Sequence, residues 1–387
     1  QILVPRENEK AALAAEQMFA SIHGVLGANV RGSDVISFEI ASTDENGIRF
    51  FVVAPQHLSR FIEGQIYAQY PNADIEYVQD YVVNTGEEGN VFVTTGEIEM
   101  EKDAIFPIKT FRSFEVDPLA AITGAMSELN RYEQVWLQVI VRPVSNYWQS
   151  KSKDYITATK EGRSLEGPTF GQALSTFVKG VGSAMSVDEK PAQKEIVKLL
   201  PGQEEELSEI ANKMLKVGFE FKIRVVTKAE NQFRSEQLLR DVVASFKQFT
   251  TAHLNNLVYA KPDKGGEDMY GDYIKRDIGK EQDIVNIEEL ASLYHLPNIS
   301  VETPNIAWSR SRKLEPPMNI PRSTDDDVTT FGETSYRDMK VEFGLKKKDR
   351  QRHFYLLGKT GSGKSTLFKN MFISDVLSGR RHKDHSR

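Results

Sequence analysis

Residues 35–40 and 48–53 read Val-Ile-Ser-Phe-Glu-Ile and Ile-Arg-Phe-Phe-Val-Val, two short runs rich in β-branched and aromatic residues. Such runs predict two neighbouring β-strands. A pattern of helical period precedes them over residues 7–23, and a second predicted helix, residues 56–67, leads into a third strand at residues 73–78. The order helix, strand, strand, helix, strand predicts a ferredoxin-like sandwich with an antiparallel sheet.

A second set of predicted elements follows along the chain. It comprises segments at residues 90–100 and 106–114, a helix at 118–129 and a strand at 135–141. A predicted helix at residues 204–216 is then followed by a strand at 219–227 and a long helix at 231–257. This last strand and helix repeat the order of residues 48–53 and 56–67. The repetition is compatible with an internal duplication, although the sequence identity between the segments is too low to require one.

The long predicted helix carries one apolar stripe, which is typical of a face buried in the core rather than of a cofactor contact. The stripe consists of Leu239, Val242, Phe246, Phe249, His253 and Leu257.

Prolines, glycines and lysines divide the rest of the chain into predicted segments. We predict an N-terminal α/β domain (1–142), a mobile, partly helical insertion or linker (143–202, with helices at 170–178 and 192–200), a second α/β region (203–300), a linker (301–330) and the truncated start of an ATPase domain (331–387). In the linker, Asp325, Asp326 and Asp327 are predicted to form a solvated turn.

The composition is that of an ordinary globular protein, with 40% hydrophobic and 27% charged residues and a net charge of −6. The absence of cysteine excludes disulfides, iron–sulfur clusters and cysteine-bound zinc. No apolar run reaches the length of a membrane span. Basic residues gather at 346–352, where a solvated turn is favoured over a nucleic-acid patch. Because the chain starts at Gln1, we expect an upstream segment in the parent protein.

A phosphate-binding pattern, G-x-x-x-x-G-K-[ST], lies close to the C-terminus. The apolar run at residues 353–357 before it predicts a buried strand, and residues 367–373 after it predict a helix. Lys364 is predicted to reach the β- and γ-phosphates of ATP, and the Ser365 hydroxyl to bind Mg²⁺. The predicted nucleotide-binding residues are Gly358, Lys359, Thr360, Gly361, Ser362, Gly363, Lys364, Ser365 and Thr366.

The order of several segments resembles the VirB4/VirD4-like type IV secretion and conjugative transfer ATPases, of the HerA–FtsK branch of P-loop motors. The resemblance covers about residues 286–378 and extends to the N-terminal region only in architecture. Its matching segments are Ile-Glu-Glu-Leu-Ala-Ser-Leu-Tyr-His-Leu-Pro at 287–297, Trp308, Phe343 with Gly344, the run and loop at 353–366, Met371 and Asp375.

This resemblance implies a RecA-like motor that forms a hexamer at the inner face of the cell membrane and drives DNA or protein transfer. It also implies that Thr366 contacts the α-phosphate. The implied partners are other secretion-system components, DNA where DNA is the transferred molecule, and the membrane through an upstream segment. After Gly379 the sequence departs from the family, which continues into an apolar strand ending in an aspartate (Walker B). We therefore expect the 387-residue chain to hydrolyse ATP poorly.

Four readings compete for the basic tail at residues 380–387. It could be a metal site formed by His382, Asp384 and His385, a nucleic-acid tail or a solvated natural terminus. The fourth is a shift of reading frame, under which the same bases would encode a glycine-containing turn and an apolar strand. The nucleotide sequence of the gene would decide among them.

Two classes of function remain open. The first is the N-terminal part of an ATP-dependent motor. The second is a non-enzymatic assembly or interaction module of a membrane complex with a vestigial loop. A small-molecule kinase is disfavoured because such kinases carry the loop near the N-terminus. No serine–histidine–aspartate arrangement is expected, and His23, His57, His253 and His295 are interpreted as ordinary helix residues.

Overall fold

The computed structural model describes ten stretches of the chain: residues 1–26, 34–82, 91–161, 201–251, 253–260, 268–279, 283–309, 315–336, 339–352 and 354–377. It divides into two compact units, residues 1–309 and 310–387. The α+β class expected from the sequence is confirmed, since helices accompany a mainly antiparallel sheet.

All strands of the first unit belong to one antiparallel sheet of nine strands. They are β1 (Ile2–Leu3), β2 (Ile36–Thr43), β3 (Gly47–Val53), β4 (Asp74–Ile75), β5 (Phe92–Met100), β6 (Gln134–Pro143), β7 (Gly218–Ala229), β8 (Leu257–Ala260) and β9 (Asp283–Asn286). Their order is β4-β1-β3-β2-β6-β7-β5-β8, and β9 pairs with the beginning of β7.

The helices of this unit lie between the strands along the chain. They are α1 (Ala12–Leu26), α2 (Ser59–Gln69), α3 (Pro118–Ala125), α4 (Tyr147–Lys160), α5 (Pro201–Met214), α6 (Gln232–Ser245), α7 (Met269–Lys275) and α8 (Ile287–Leu293). No helix in the described ranges is long and apolar enough to cross a bilayer.

The sheet consists of two halves with the same connectivity. Each half contains four strands. The first two strands flank a crossover helix (α1 or α3), and a second crossover helix (α2 or α6) lies between the third and the fourth. Within each half, the strands are arranged side by side in the order fourth, first, third, second. The halves meet where β2 pairs with β6, from Ile36 opposite Val141 to Thr43 opposite Gln134. Strands from the predicted segments 1–142 and 203–300 therefore share one unit.

Side chains alternate across this sheet because the strand period is two. Ile36, Phe38 and Ile40 of β2 belong to the main core, which also includes apolar residues of α1, α2, α3, α6 and α8. Ala41 and Phe51 lie in a smaller cluster with Tyr273 of α7. One face of the sheet thus carries most of the helices, and α7 covers part of the other.

Helix α8 begins after a capping box. The Asn286 side chain accepts hydrogen bonds from the backbone of Glu288 and Glu289, and the Glu289 carboxylate accepts one from the Asn286 N–H. Glu289 also accepts a hydrogen bond from the Ile108 N–H at 2.9 Å and forms a buried ion pair with Lys213, Nζ to Oε2, at 3.1 Å. These bonds fix α8 beside α5.

The predicted helix at 231–257 is too long. Helix α6 ends at Ser245, a short 3-10 turn follows at Phe246–Phe249, and Leu257 already belongs to β8. Between this turn and β8 the buried Asn255 side chain donates hydrogen bonds to the backbone carbonyls of Lys102, Asp103 and Phe106, which fixes a non-helical segment. The predicted stripe is buried as expected, except that His253 is exposed.

Two segments grouped with the strands are mostly irregular. In residues 106–114 the only regular element is a 3-10 turn at Phe111–Ser113, because side chains of α8 take the backbone donors: the Phe111 N–H donates to Ser292 Oγ at 2.8 Å. In residues 73–78 only Asp74 and Ile75 pair with another strand. Within the predicted insertion at 143–202, α4 is described, while the predicted helices at 170–178 and 192–200 lie outside the described residues.

The second unit contains a β-hairpin, β10 (Val328–Tyr336) and β11 (Met339–Lys346), a short helix α9 (Lys347–Arg350), and α10 (Lys364–Leu377). Helix α10 packs on β10, with Met371 and Val328 both buried. The acidic triplet Asp325, Asp326 and Asp327 forms the exposed turn that the sequence predicts.

Candidate phosphate-binding loop

The loop at residues 358–363 connects an extended segment to the first turn of α10. Gly361 and Gly363 both have φ of +85°, a left-handed conformation that glycine adopts without the penalty other residues incur. Glycine at 358 is favoured for a different reason, since a β-carbon there would force the Ser362 side chain to shift. The backbone angle therefore explains glycine at 361 and at the pattern position 363, and the close Ser362 side chain favours glycine at the pattern position 358.

Lys364 is the first residue of α10, and its side chain folds back over the loop. Its Nζ donates hydrogen bonds to the carbonyl oxygens of Gly358 at 2.6 Å and Lys359 at 2.7 Å. The Ser362 N–H donates to Lys359 O at 3.2 Å, and the Leu367 N–H donates to Gly363 O at 2.9 Å. The ammonium group and the loop backbone are thus held together.

The loop has features that suit a bound polyanion. The first N–H groups of a helix lack intrahelical acceptors, and the helix dipole favours negative charge at this end. The loop residues are exposed, as are Ser365 and Thr366 in the first turn of α10. The structure places all nine predicted residues in one continuous loop and helix start.

The predicted buried strand before the loop is wrong. Residues 354–357 form no strand, and Tyr355 and Leu357 are 85% and 79% exposed. A phosphate-loop strand is normally central in a parallel sheet and buried on both faces. No described strand pairs with these residues, so their apolar side chains stay in contact with solvent.

Helix α10 also carries exposed apolar residues. Phe368, Phe372 and Ile373 are 50%, 69% and 41% exposed, whereas Met371 is buried. The nearby Phe354 ring packs edge-on against Phe368 at 5.8 Å. The side chain of Asp375, which contributed to the sequence resemblance, lies outside the described residues.

The pair of His295 and Asp117 is a structural contact. His295 Nε2 lies 2.8 Å from Asp117 Oδ1, and its Nδ1 lies 2.8 Å from Ala291 O. Each ring nitrogen faces an oxygen acceptor, so neither is available to activate a nucleophile. His295 follows α8 and is buried, His23 lies in α1, His57 lies in a 3-10 turn, and His253 lies outside a helix.

Sequence reasoning did not single out a buried polar network centred on Glu39. This carboxylate is fully buried and accepts hydrogen bonds from Arg276, Tyr81 and Gln138. Burial, together with the nearby Glu39 charge, raises the pKa of Tyr81 well above its ordinary value. A glutamate inside the apolar run 35–40 was the available signal, and the network attaches the end of α7 to the sheet.

No group of His, Asp and Glu side chains capable of holding a metal ion occurs in the described part of the chain. The alternatives for the tail at 380–387, including the metal site of His382, Asp384 and His385, lie outside that part.

Comparison with known proteins places the first unit in a family. No curated protein matches the chain. A family model described as a domain of unknown function, DUF8128, matches residues 2–309, and these limits coincide with the unit 1–309 defined by internal packing. The match covers most of the chain, which therefore belongs to the DUF8128 family.

Proposed function

We propose that residues 331–377 begin a RecA-like nucleotide-binding domain and that the chain is the N-terminal part of a VirB4/VirD4-like ATP-dependent motor of type IV secretion or conjugative transfer. The observation that carries the proposal is the loop itself. Two glycines with φ of +85° precede a helix whose first residue is a lysine bonded across the loop.

In this proposal the loop binds ATP together with Mg²⁺. The backbone N–H groups of residues 359–364 surround the phosphates, and Lys364 exchanges its bonds to the Gly358 and Lys359 carbonyls for the β- and γ-phosphates. Ser365 binds Mg²⁺, and Thr366 contacts the α-phosphate. The exposure of the loop is compatible with entry of the nucleotide.

The first unit serves, in the same proposal, as a platform of two ferredoxin-like repeats. The shared strand order of its two halves supports this assignment and an origin by internal duplication. The parent protein acts as a hexamer at the cytoplasmic face of the cell membrane, with other secretion components, and with DNA when DNA is the transported molecule. An upstream segment provides the membrane attachment.

Isothermal titration of the 387-residue chain with ATP and Mg²⁺ tests the loop. We expect saturable binding that Lys364→Ala weakens at least tenfold, because the variant loses a charge-assisted bond to phosphate. Lys369→Ala is the matched control, since it removes an exposed lysine from the same helix. Unaltered binding by Lys364→Ala, or no binding by the unmodified chain, would contradict the proposal.

Hydrolysis is expected to be slow in this chain even when ATP binds, because no described strand pairs with residues 354–357 to carry an additional magnesium ligand next to the loop. A steady-state phosphate-release assay checks this expectation. Turnover at the median enzyme rate of about 10 s⁻¹ would argue against it.

The alternative, a non-enzymatic assembly module, is favoured by one observation: the family match ends at residue 309, before the loop. Under this alternative the chain binds no ATP, and Lys364→Ala leaves the assembly of the parent complex unchanged. Loss of assembly in Lys364→Ala would instead favour the motor.

A further inference from the structure

A cavity of about 720 Å³ lies against the second face of the sheet in the first unit. It extends from the turn between β2 and β3 to Tyr270 of α7, and Trp136 of β6 and Lys228 of β7 form part of its wall. Pockets of a few hundred to about 1,000 Å³ are typical for small organic ligands. The cavity belongs to residues 1–309 alone and is independent of the phosphate loop.

Lys228 differs from the other two cations on this face of β7. Lys222 and Arg224, on the same face of β7, both pair with the Glu97 carboxylate, at 3.0 and 2.7 Å. Lys228 is only 6% exposed, and no described carboxylate lies within ion-pairing distance of its Nζ. A buried charge without a counter-charge is costly, so this position is suited to receive an anion.

Aromatic groups hold the Lys228 ammonium at the cavity wall. Its Nζ lies 4.1 Å from the centroid of the Trp136 ring and donates a hydrogen bond to Tyr270 Oη at 3.3 Å. These contacts partly offset the loss of hydration. Burial still lowers the pKa of Lys228 to about 8, so the side chain remains mainly cationic at neutral pH.

Aromatic rings line one part of the wall, beside polar and aliphatic residues. Tyr81 stacks edge-on against Trp136 at 5.3 Å and lies 4.9 Å from Phe51. The Tyr81 hydroxyl bonds to Glu39 and Tyr273, which fixes the ring. The fixed Tyr81 ring can pack against a planar apolar group of a ligand.

The rim limits the charge that a ligand can carry. Asp44 and Glu45 are exposed at the cavity edge and would repel a polyanion such as a nucleoside triphosphate. Arg49 also lines the cavity, but its guanidinium is engaged by Asn46 Oδ1 at 2.8 Å. We propose that this cavity binds a small aromatic molecule with a single carboxylate, which pairs with Lys228 beside Trp136 while its ring packs on Tyr81.

Titration of the full chain with 2-naphthoate and its neutral isostere 2-naphthamide tests the proposal without any substitution. We expect one-to-one binding of 2-naphthoate and at least tenfold weaker binding of 2-naphthamide. Because Trp136 lies in the wall, the NMR signal of its indole N–H should shift during the titration. No binding of 2-naphthoate, equal affinity for both compounds, or an unshifted Trp136 signal would overturn the proposal.

Two variants then test whether the preference for 2-naphthoate over 2-naphthamide depends on Lys228. Lys228→Met should reduce 2-naphthoate affinity to that of 2-naphthamide, and its folding is checked by thermal unfolding. Lys222→Met, a change of the same kind on the same face of β7, should preserve the preference for the carboxylate. A preserved preference in Lys228→Met, or its loss in Lys222→Met, would show that Lys228 is not the anion partner.

Discussion

At residue scale, Asp117 joins two separate parts of the first unit. Its carboxylate caps α3 by accepting a hydrogen bond from the Leu119 N–H at 2.9 Å. It also accepts bonds from His295 at 2.8 Å and Asn298 at 2.6 Å. Because both Asp117 and His295 are buried, loss of one leaves the other without its partner in a poorly hydrated place.

Asp117→Ala should therefore lower the free energy of unfolding by about 3 kcal/mol, the sum of a lost cap and a stranded buried donor. Urea denaturation of the full chain measures the change. Asp268→Ala is the control, because Asp268 caps α7 at an exposed position through the Gly271 N–H and should cost only about 1 kcal/mol. Equal effects of the two substitutions would contradict a central role for Asp117.

The same carboxylate makes stability depend on pH. Burial acts to raise the pKa of Asp117, but hydrogen bonds from His295, Leu119 and Asn298 outweigh burial and lower it. Glu133, held by Arg234 and Asn130, is lowered in the same way. A carboxylate with a lower pKa in the folded state contributes stability above the unfolded pKa of about 4, which is lost as the pH falls through the folded pKa.

We therefore expect the urea midpoint to change little between about pH 7 and 5 and to fall below about pH 4. Denaturation curves across this range give the midpoint. Asp117→Ala should show a shallower fall than the unmodified chain, because one of the responsible groups is absent. Parallel curves for the two proteins would show that Asp117 does not contribute.

At the scale of single elements, alternation and periodicity predicted much of the fold. The strands predicted at 35–40 and 48–53 match β2 and β3 closely, because apolar residues and turn signals agree there. The helix over 231–257 was overextended because a continuing apolar period does not reveal that Asn255 is buried in contacts with residues 102–106. Nor does a local pattern show that an aromatic ring from another strand lies beside Lys228.

The phosphate loop illustrates the same limit. Its nine residues were predicted from spacing, since glycine positions follow from backbone geometry. Of the strand predicted at 353–357, residues 354–357 form none, since an apolar run becomes a strand only where a partner strand accepts its hydrogen bonds.

The loop glycines yield an element-scale prediction. Alanine at Gly361 or Gly363 would contact no other atom within 4 Å, but it would be strained at φ of +85°. The strain costs about 1 kcal/mol and favours a different loop backbone. Each substitution should therefore weaken binding of ATP and Mg²⁺ in isothermal titration.

Gly202→Ala provides the control for this prediction, since Gly202 lies in α5 with open space around it. It should leave ATP binding unchanged. An unchanged affinity in both loop variants would indicate that the positive φ angles are not needed for binding.

At the scale of the whole molecule, the family match and the packed unit end at the same residue, 309. The sheet of nine strands and the main core lie entirely within residues 1–309. This agreement could not be predicted from composition, because the sequence suggested breaks at 142, 202 and 300. It indicates that the core of the first unit is complete without the residues that follow.

Residues 1–309 alone should therefore fold and unfold in one cooperative thermal transition, measured by circular dichroism or calorimetry. A shorter fragment, 1–294, is the control. It lacks His295 and Asn298, the partners of Asp117, and Ile306, which bridges to Ile48. It should melt at a lower temperature or without cooperativity, and identical melting of the two fragments would count against the boundary.

The connection between β6 and β7 has a consequence for chain entropy. In the first half of the sheet the equivalent strands are joined by the short turn between Thr43 and Gly47, whereas in the second half the chain runs from Val144 to Val217 before pairing resumes. Because closure entropy grows only with the logarithm of length, the longer connection costs about 3 kcal/mol more, even if treated as a free loop. A longer β6–β7 connection therefore lowers the stability of the sheet only modestly, because neighbouring strands fix the register of β6 and β7. Insertions into this fold are best tolerated in the β6–β7 connection.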